Sequence, residues 1–233
     1  MHNPESNPAS LAADLTSLFP LGAVVAAMRG AGDPKALYPE EARHLQRSVQ
    51  KRAQEFAAGR LCARRVLQEF GIQNFPIAVG EHRQPLWPEP LVGSITHTTD
   101  FCACVAAAKI RLRAVGIDCE IANSVRPEFW RGICTPGETA WLRSLPDAEQ
   151  VRAATLIFSA KEAFYKCQFS AAHEHLGFQD AVVELPGWQE HQDLGVFRIR
   201  ATRHIVFDRF AAMPIEGRYL FHESLITAGI AVH

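Results

Sequence analysis

Two acidic side chains lie two residues apart in the segment 116–120, which reads Gly-Ile-Asp-Cys-Glu. On a strand, alternate residues share a face, so Asp118 and Glu120 project together while Ile117 and Cys119 face the other side. Neighbouring carboxylates repel each other unless a proton or a cation lies between them, and ligation by oxygen alone suits a hard ion such as magnesium. A solvated strand end with two surface acids would give the same pattern, so the spacing alone leaves both interpretations open.

An acidic and a basic residue, Glu162 and Lys166, are four apart in a segment of helical pattern and therefore share one helix face. An exposed ion pair of this kind contributes only about 0.3–0.5 kcal/mol and needs no function. The functional interpretation makes Glu162 a third metal ligand or a general base, and Lys166 a phosphate contact.

One histidine, His97, follows small and hydroxyl-bearing residues in the segment 93–98, just before an apolar run. A turn of this composition can present hydroxyls, backbone N–H groups and an imidazole to an anion. An ordinary loop histidine is the alternative.

Basic residues recur along the first long helical segment and in the loop that follows it: Lys51, Arg52, Arg60, Arg64, Arg65 and Arg83. They could bind phosphate groups together, or form a solvated helix face balanced by Glu55 and Glu69. The whole chain has 24 basic and 25 acidic residues, so no global field attracts nucleic acid or an anionic membrane. Anion binding must therefore come from a local cluster.

Two long helical patterns and several strand patterns position these residues. Apolar residues recur at helical spacing over 39–70, which is long enough for two helices, and again over 148–169. Strands are expected at 18–28, 101–108, 114–120, 181–185, 196–201 and 220–232. The strand at 114–120 is expected to pair antiparallel with 101–108 across a basic turn.

A short helix over 136–145 has a clear start signal. Thr135 is a good cap, Pro136 suits the first helical position, and Glu138 completes a capping box.

The order of helix and then strands occurs twice, which predicts an α+β chain with halves at 1–114 and 115–233. Residues 1–10 are polar, carry two prolines, and are expected to form a flexible tail.

Composition narrows the class of protein further. The 233 residues are 48% hydrophobic, as in ordinary globular proteins. No apolar run reaches the roughly 18 residues of a membrane span, and no basic segment precedes the run at 18–28 as in a signal peptide. The six cysteines form no CxxC pair, which favours reduced core thiols and a cytoplasmic location over a disulfide or metal set.

Five motifs occur in order along the chain: 51–60 (KRAQEFAAGR), 80–88 (GEHRQPLWP), 93–97 (GSITH), 116–120 (GIDCE) and 158–166 (FSAKEAFYK). This combination resembles the Sfp-type 4'-phosphopantetheinyl transferases, and within them most of all the enterobactin-synthase component D subgroup. The resemblance spans roughly residues 48–185. Phe158 departs from it, because a tryptophan is common at that position, and His82 stands where some relatives place a lysine.

The resemblance implies a monomeric pseudo-dimer of two similar halves, each a long helix packed on a small, mainly antiparallel sheet, with coenzyme A in the cleft between them. It implies an Mg²⁺-dependent enzyme that transfers the 4'-phosphopantetheine group of coenzyme A to a serine of an apo acyl or peptidyl carrier protein. Adenosine 3',5'-bisphosphate is the product released. Siderophore, polyketide and fatty-acid carriers all remain open.

The resemblance also implies roles for individual residues. Asp118, Glu120 and Glu162 would hold Mg²⁺ against the pyrophosphate, and Thr96 and His97 would contact phosphates of coenzyme A.

The resemblance also places Arg52, Arg60 and Arg83 at the nucleotide end of coenzyme A. It further implies that Lys161 and Lys166 contact phosphates. In catalysis, Lys166 and His97 would stabilise developing negative charge. Glu162 is the candidate general base, with Glu120 or a water molecule as alternatives.

Three other functions compete with this one. A metal-dependent hydrolase of a nucleotide pyrophosphate would use the same acidic and basic residues. A second alternative is a non-catalytic module that binds coenzyme A or carrier proteins, and a third is a purely structural α+β domain. Neither would need all four of Asp118, Glu120, Glu162 and Lys166, so the presence of the set argues against both.

Overall fold

The computed structural model describes residues 8–45, 49–98, 100–202 and 214–233, so residues 1–7 of the expected tail lie outside the described part. The chain divides into two compact units, the first ending at Leu112 and the second beginning at Arg113. Unit 1 contains α1 (Pro8–Thr16), β1 (Ala23–Arg29), α2 (Pro39–Ala42), α3 (Gln50–Glu69), β2 (Leu91–Thr98) and β3 (Phe101–Ala108). Unit 2 contains β4 (Ala114–Ile121), α4 (Pro127–Ile133), α5 (Pro136–Ser144), α6 (Asp147–Ala172), β5 (Ala181–Glu184), β6 (Leu194–Ala201), β7 (Ile215–His222) and β8 (Leu225–Val232).

Unit 1 is one antiparallel sheet in the order β1-β3-β2, covered by α3. The buried face of α3 is built from small residues, including Ala57, Ala58 and Cys62, so the helix lies close to its neighbours. Gly32 shows how close, since a Cβ added there would lie 2.1 Å from the backbone nitrogen of Ala58. The helical pattern over 39–70 is two helices, as the sequence allows.

Unit 2 is a five-stranded antiparallel sheet in the order β4-β8-β7-β6-β5, with α6 packed on β4 and β8. Two strand predictions were wrong. The strand at 114–120 does not pair with 101–108, because β1 and β2 already occupy both edges of β3, and β4 pairs with β8 instead. The segment 220–232 is not one strand, because a turn at Glu223, with φ of 52°, separates β7 from β8.

Local signals predicted the start of α5 well. At α5 the Thr135 hydroxyl accepts from the Glu138 N–H at 3.3 Å, while the Glu138 carboxylate accepts from the Thr135 N–H at 2.6 Å, which confirms the capping box. Two helices were not expected: α4, and α1, which begins at Pro8 within the expected tail.

The two units share a plan, because each is a long helix packed on an antiparallel sheet, and the α+β class is confirmed. A pseudo-dimeric relationship between them stays a prediction. All six cysteines are buried free thiols, as expected. Burial raises the pKa of four of them, Cys104, Cys119, Cys134 and Cys167, in the case of Cys134 to about 12. No helix within the described ranges is long and apolar enough to cross a membrane.

Candidate active site

A glycine sets the contact between the strand and the helix that carry the predicted metal ligands. A Cβ added at Gly116 on β4 would lie 1.9 Å from the carbonyl oxygen of Ala163 on α6, so only glycine fits there. The hydroxyl of Ser159 fastens the same contact by donating to the carbonyl of Asp118 at 3.2 Å. The acidic strand and the helix with the KExxxK motif, residues 161–166, are therefore held backbone to backbone.

Lys166 connects the two elements through its ammonium group. Its Nζ donates to Oδ1 of Asp118 at 2.6 Å and to the carbonyl of Ile117 at 3.3 Å. Asp118 is only 3% exposed, which rules out the alternative of a solvated strand end. The partner of Lys166 is thus the acid of β4, and not a simple surface pair with Glu162.

The three predicted metal ligands influence one another electrostatically. Burial, together with the charges of Asp118 and Glu162 and against the opposing charge of Lys166, raises the pKa of Glu120 to about 7. Burial also raises the pKa of Glu162, helped by the charge of Asp118. Burial acts to lower the pKa of Lys166, but the nearby carboxylates outweigh burial, so this pKa is raised overall. The cluster is therefore three acids around one cation, and it carries excess negative charge when fully ionised.

This cluster fits a hard divalent ion by its chemistry. Its donors are carboxylate oxygens, and their mutual repulsion is the condition that a bound cation relieves. As the side chains stand, however, no three His, Cys, Asp or Glu residues among those described are arranged as a metal site. The ammonium of Lys166 instead occupies Oδ1 of Asp118, so Mg²⁺ binding stays a prediction.

Lys161, the other lysine of the motif, is buried with a full set of protein partners. Its Nζ donates to Glu138 at 2.7 Å and to the carbonyls of Ile133 and Phe178 at 2.9 and 2.8 Å. Since an ammonium has three N–H groups, none is left for a phosphate. The geometry therefore gives no support to the predicted phosphate contact. Glu138 also accepts from the N–H of Val183 at 2.7 Å, so the ion pair of Lys161 and Glu138 ties α6 to β5, which is a structural role.

Unit 1 contains a cavity of about 620 Å³ that brings four of the predicted coenzyme A contacts together. Its walls include Arg52 and Arg60 of α3, Arg83 of the following loop, and His97 at the end of β2. Its other lining residues are His44, Leu45, Val49, Phe56, Gly59, Val79, Pro85 and Ile95. The cavity therefore combines several cations with an apolar surface, as a nucleotide phosphate site requires.

Backbone and ring contacts hold two of these arginines in place. Arg83 lies in a tight turn, donates its N–H to the Gly80 carbonyl at 3.0 Å, and has a φ of 68°, which is unusual for a residue with a side chain. Arg60 is 6% exposed, lies 4.1 Å above the ring of Phe56, and keeps a pKa of about 10, lowered by burial. It is therefore protonated at neutral pH.

Other predicted contacts lie outside this cavity. Thr96 is 2% exposed and does not line it. Arg64 ion-pairs with the buried Glu41 instead of facing the cavity. His44 also lines the cavity, and its sequence context does not predict this, because a single histidine in a polar segment gives no signal.

A smaller cavity of about 180 Å³ lies beside Glu162 in unit 2. Its walls are mostly apolar, with Phe164, Tyr165 and Phe178 among the lining residues. The Tyr165 hydroxyl lies 3.2 Å from Nδ1 of His175. A predicted metal ligand thus borders a small, mostly apolar cavity.

Two family models match the chain, one to each unit. Residues 40–107 match the 4'-phosphopantetheinyl transferase N-terminal domain, and residues 114–212 match the 4'-phosphopantetheinyl transferase superfamily. The chain belongs to the 4'-phosphopantetheinyl transferase superfamily. The motifs of β4 and α6 fall within the second match, and the unit 1 cavity within the first.

Curated relatives agree with this assignment. The transferase is 33% identical to 4'-phosphopantetheinyl transferase Svp of Streptomyces mobaraensis, over 86% of this chain and 80% of the relative. It is 37% identical to 4'-phosphopantetheinyl transferase PptT of Mycobacterium tuberculosis, over 67% and 71%. It is also 37% identical to enterobactin synthase component D of Escherichia coli, over 64% and 68%. The resemblance drawn from the motifs is confirmed, and the transferase moves 4'-phosphopantetheine from coenzyme A to a carrier protein.

Proposed function

We propose that this transferase is Mg²⁺-dependent and that Asp118, Glu120 and Glu162 hold the ion. The observation that carries the proposal is the acidic cluster around the cation of Lys166, whose Nζ donates to Asp118, and in which burial and the charge of Asp118 raise the pKa of Glu120 and of Glu162. A bound Mg²⁺ would supply Lewis-acid stabilisation of the pyrophosphate of coenzyme A. The 2.6 Å bond of Lys166 to Asp118 would orient that carboxylate.

The transfer requires a proton acceptor. The carrier serine oxygen forms a bond to the phosphorus that bears the pantetheine arm, and the bond from that phosphorus to the bridging oxygen breaks. Adenosine 3',5'-bisphosphate leaves with the electron pair, and the serine proton passes to a base. Glu162 is the proposed base, directly or through a bound water molecule, because it lies on α6 within the acidic cluster, and Glu120 is the competing candidate.

Positive groups stabilise the charge that develops during transfer. Lys166 and His97 are proposed for this role, Lys166 because it already faces the acidic cluster and His97 because it lines the unit 1 cavity. Nδ1 of His97 also lies 3.9 Å from the carboxylate of Glu55.

The cavity of unit 1 is proposed to bind the nucleotide end of coenzyme A through Arg52, Arg60 and Arg83. Arg52→Ala and Arg83→Ala should raise KM for coenzyme A by about tenfold, the value of one lost charged hydrogen bond. The matched control is Arg65→Ala, because Arg65 is an exposed arginine of the same helix that does not line the cavity. Equal KM values for all three variants would refute the assignment of this cavity.

The carrier protein is proposed to dock on α4. Trp130 anchors this helix by donating from Nε1 to the carbonyl of Val125 at 3.2 Å, while Phe129 is 55% exposed. Arg126 is three residues before Phe129 and Arg131 is exposed on the same helix, so an apolar tip on a basic helix suits an acidic carrier helix. Phe129→Ala should raise KM for the carrier and leave KM for coenzyme A unchanged.

We also propose that the enzyme acts in the cytoplasm as a monomer whose two units are its functional halves. The six buried free thiols support a reducing compartment.

One experiment tests the activity and its closest competitor together. The protein is incubated with coenzyme A, Mg²⁺ and a panel of apo carrier proteins, and the carriers are weighed by intact mass spectrometry. A gain of one phosphopantetheine group is expected, and it should disappear with EDTA. Release of free phosphopantetheine without any carrier would instead indicate a pyrophosphate hydrolase. The carrier that gains mass fastest identifies the pathway.

A further inference from the structure

Glu41 is a fully buried carboxylate in α2 of unit 1, and the role of this residue is not explained by any of the sequence motifs. Its Oε2 accepts from the N–H of Tyr38 at 3.0 Å and from the guanidinium of Arg64. Its Oε1 accepts from the N–H of Ile77 at 3.0 Å. Both carboxylate oxygens are thus engaged, and one of them reaches across 36 residues to the loop that follows α3.

Ile77 is held at both of its backbone polar groups. Glu41 accepts from its N–H, and its carbonyl accepts from Nε of Arg60 at 2.9 Å. Ile77 itself is fully buried, so neither bond can be exchanged for a bond to water at low cost. A continuous chain of hydrogen bonds therefore runs from Glu41 through Ile77 to Arg60, a wall residue of the unit 1 cavity.

Glu41 also acts on Arg60 through its charge. Burial destabilises the protonated guanidinium of Arg60, and the strongest opposing influence is the negative charge of Glu41. The guanidinium is fixed from a second side by the ring of Phe56, 4.1 Å away. The orientation and the charge of Arg60 thus both depend on a carboxylate that does not line the cavity itself.

We infer that Glu41 is a positioning residue for coenzyme A binding: through Ile77 it fixes the guanidinium of Arg60 in the orientation that receives a phosphate group. The inference rests on the proposal that the unit 1 cavity binds coenzyme A. A positioned arginine loses less freedom when it binds a phosphate than a mobile one, so Glu41 contributes to affinity and not to the chemical step.

The test is steady-state kinetics of Glu41→Gln with coenzyme A, Mg²⁺ and a saturating apo carrier protein. The amide keeps the size of the side chain, removes its charge, and cannot accept from all the donors that surround the carboxylate. KM for coenzyme A should rise about fivefold to tenfold, as for one charged hydrogen bond, while kcat stays within about twofold. Glu40→Gln is the matched control, an exposed neighbour on the same helix, and should match the wild type.

A purely structural role for Glu41 would give a different result. Lower thermal stability with unchanged KM for coenzyme A would overturn the inference. If Glu41→Gln does not fold, Glu41→Asp keeps the charge but shortens the reach, and it should raise KM in the same direction. A folded Glu41→Asp with the KM of the wild type would also overturn it.

A double-mutant cycle separates this inference from the proposed function. In an Arg60→Lys background the Nε bond to Ile77 is gone, so Glu41→Gln should add less than about twofold to KM. Full additivity would show that Glu41 does not act through Arg60. If Arg52→Ala raises KM and Glu41→Gln does not, only the inference fails. If neither Arg52→Ala nor Arg60→Lys changes KM, the assignment of the cavity fails.

Discussion

Nζ of Lys166 lies 2.6 Å from Oδ1 of Asp118, across the contact between α6 and β4. This bond joins the acidic motif of β4 to the motif of α6. Because Asp118 is almost fully buried, the bond is not an exposed ion pair on the protein surface. It brings the cation of the KExxxK motif to the acid that is predicted to bind the metal.

Replacing Asp118 with asparagine should abolish metal-dependent transfer while the protein stays folded. The amide keeps the shape of the side chain but is a poor Mg²⁺ ligand, so kcat/KM should fall by about 100-fold or more. Mass spectrometry of the carrier protein measures the transfer. Asp147→Asn, at an exposed carboxylate at the start of α6, is the control and should remain active. Wild-type turnover by Asp118→Asn at saturating Mg²⁺ would exclude Asp118 as a ligand.

The metal-free protein should lose stability as the pH rises from about 4.5 to about 7. Folded Glu120 holds its proton up to about pH 7, whereas the ordinary value for a glutamate is 4.5, so unfolding releases a proton between these values. The free energy of unfolding therefore falls with rising pH in this window. Urea denaturation in EDTA measures it, and Glu120→Gln should flatten the profile. A stability that rises across the window in both proteins would contradict the assignment.

A methyl group at position 116 should strongly destabilise unit 2. The Cβ of Gly116→Ala would lie 1.9 Å from the carbonyl of Ala163, and because the obstacle is backbone, α6 must move away from β4. Overpacking of this kind costs about 1–3 kcal/mol in urea denaturation, and turnover should fall as well, because the acids of β4 lose their alignment with Glu162.

The control for this substitution is Gly132→Ala in α4, where a Cβ has no neighbour within 4 Å. It should be neutral or stabilising by up to about 1 kcal/mol, because alanine is the better helix former. Equal effects of the two substitutions would show that the close contact at Gly116 is unimportant.

Lys161→Met should destabilise the fold by about 3–5 kcal/mol, because it leaves the buried Glu138 carboxylate without its cation. Urea denaturation measures the loss, and Arg143→Met on the exposed side of α5 should change stability by less than about 0.5 kcal/mol. A stable Lys161→Met variant with an increased KM for coenzyme A would restore the phosphate contact that the sequence suggests.

Patterns within one element predicted the structure well. The start of α5 follows from Thr135 and Glu138, two residues of one turn that need no information from the rest of the chain. The α+β class follows from the succession of helical and strand patterns. The family follows from five motifs whose order is more specific than any one of them.

Contacts between distant elements were harder to predict. The partner of β4 depends on which strand edges are free, and the sequence does not show that β1 and β2 already flank β3. Lys161 pairs with Glu138, 23 residues away, and Glu41 accepts from Ile77, 36 residues away. Neither contact can be predicted without knowing which segments meet in space. The motif therefore presented Lys161 and Lys166 as equivalent, although their surroundings differ completely.

The burial of all six thiols has a practical consequence for chemical labelling. A thiol reacts with alkylating reagents as its thiolate, and four of the native thiols have raised pKa values and no open access to solvent. A single cysteine introduced at Phe129 would react with a maleimide far faster than these four. A fluorophore or cross-linker could thus be attached there without first replacing the native cysteines, all six of which are buried.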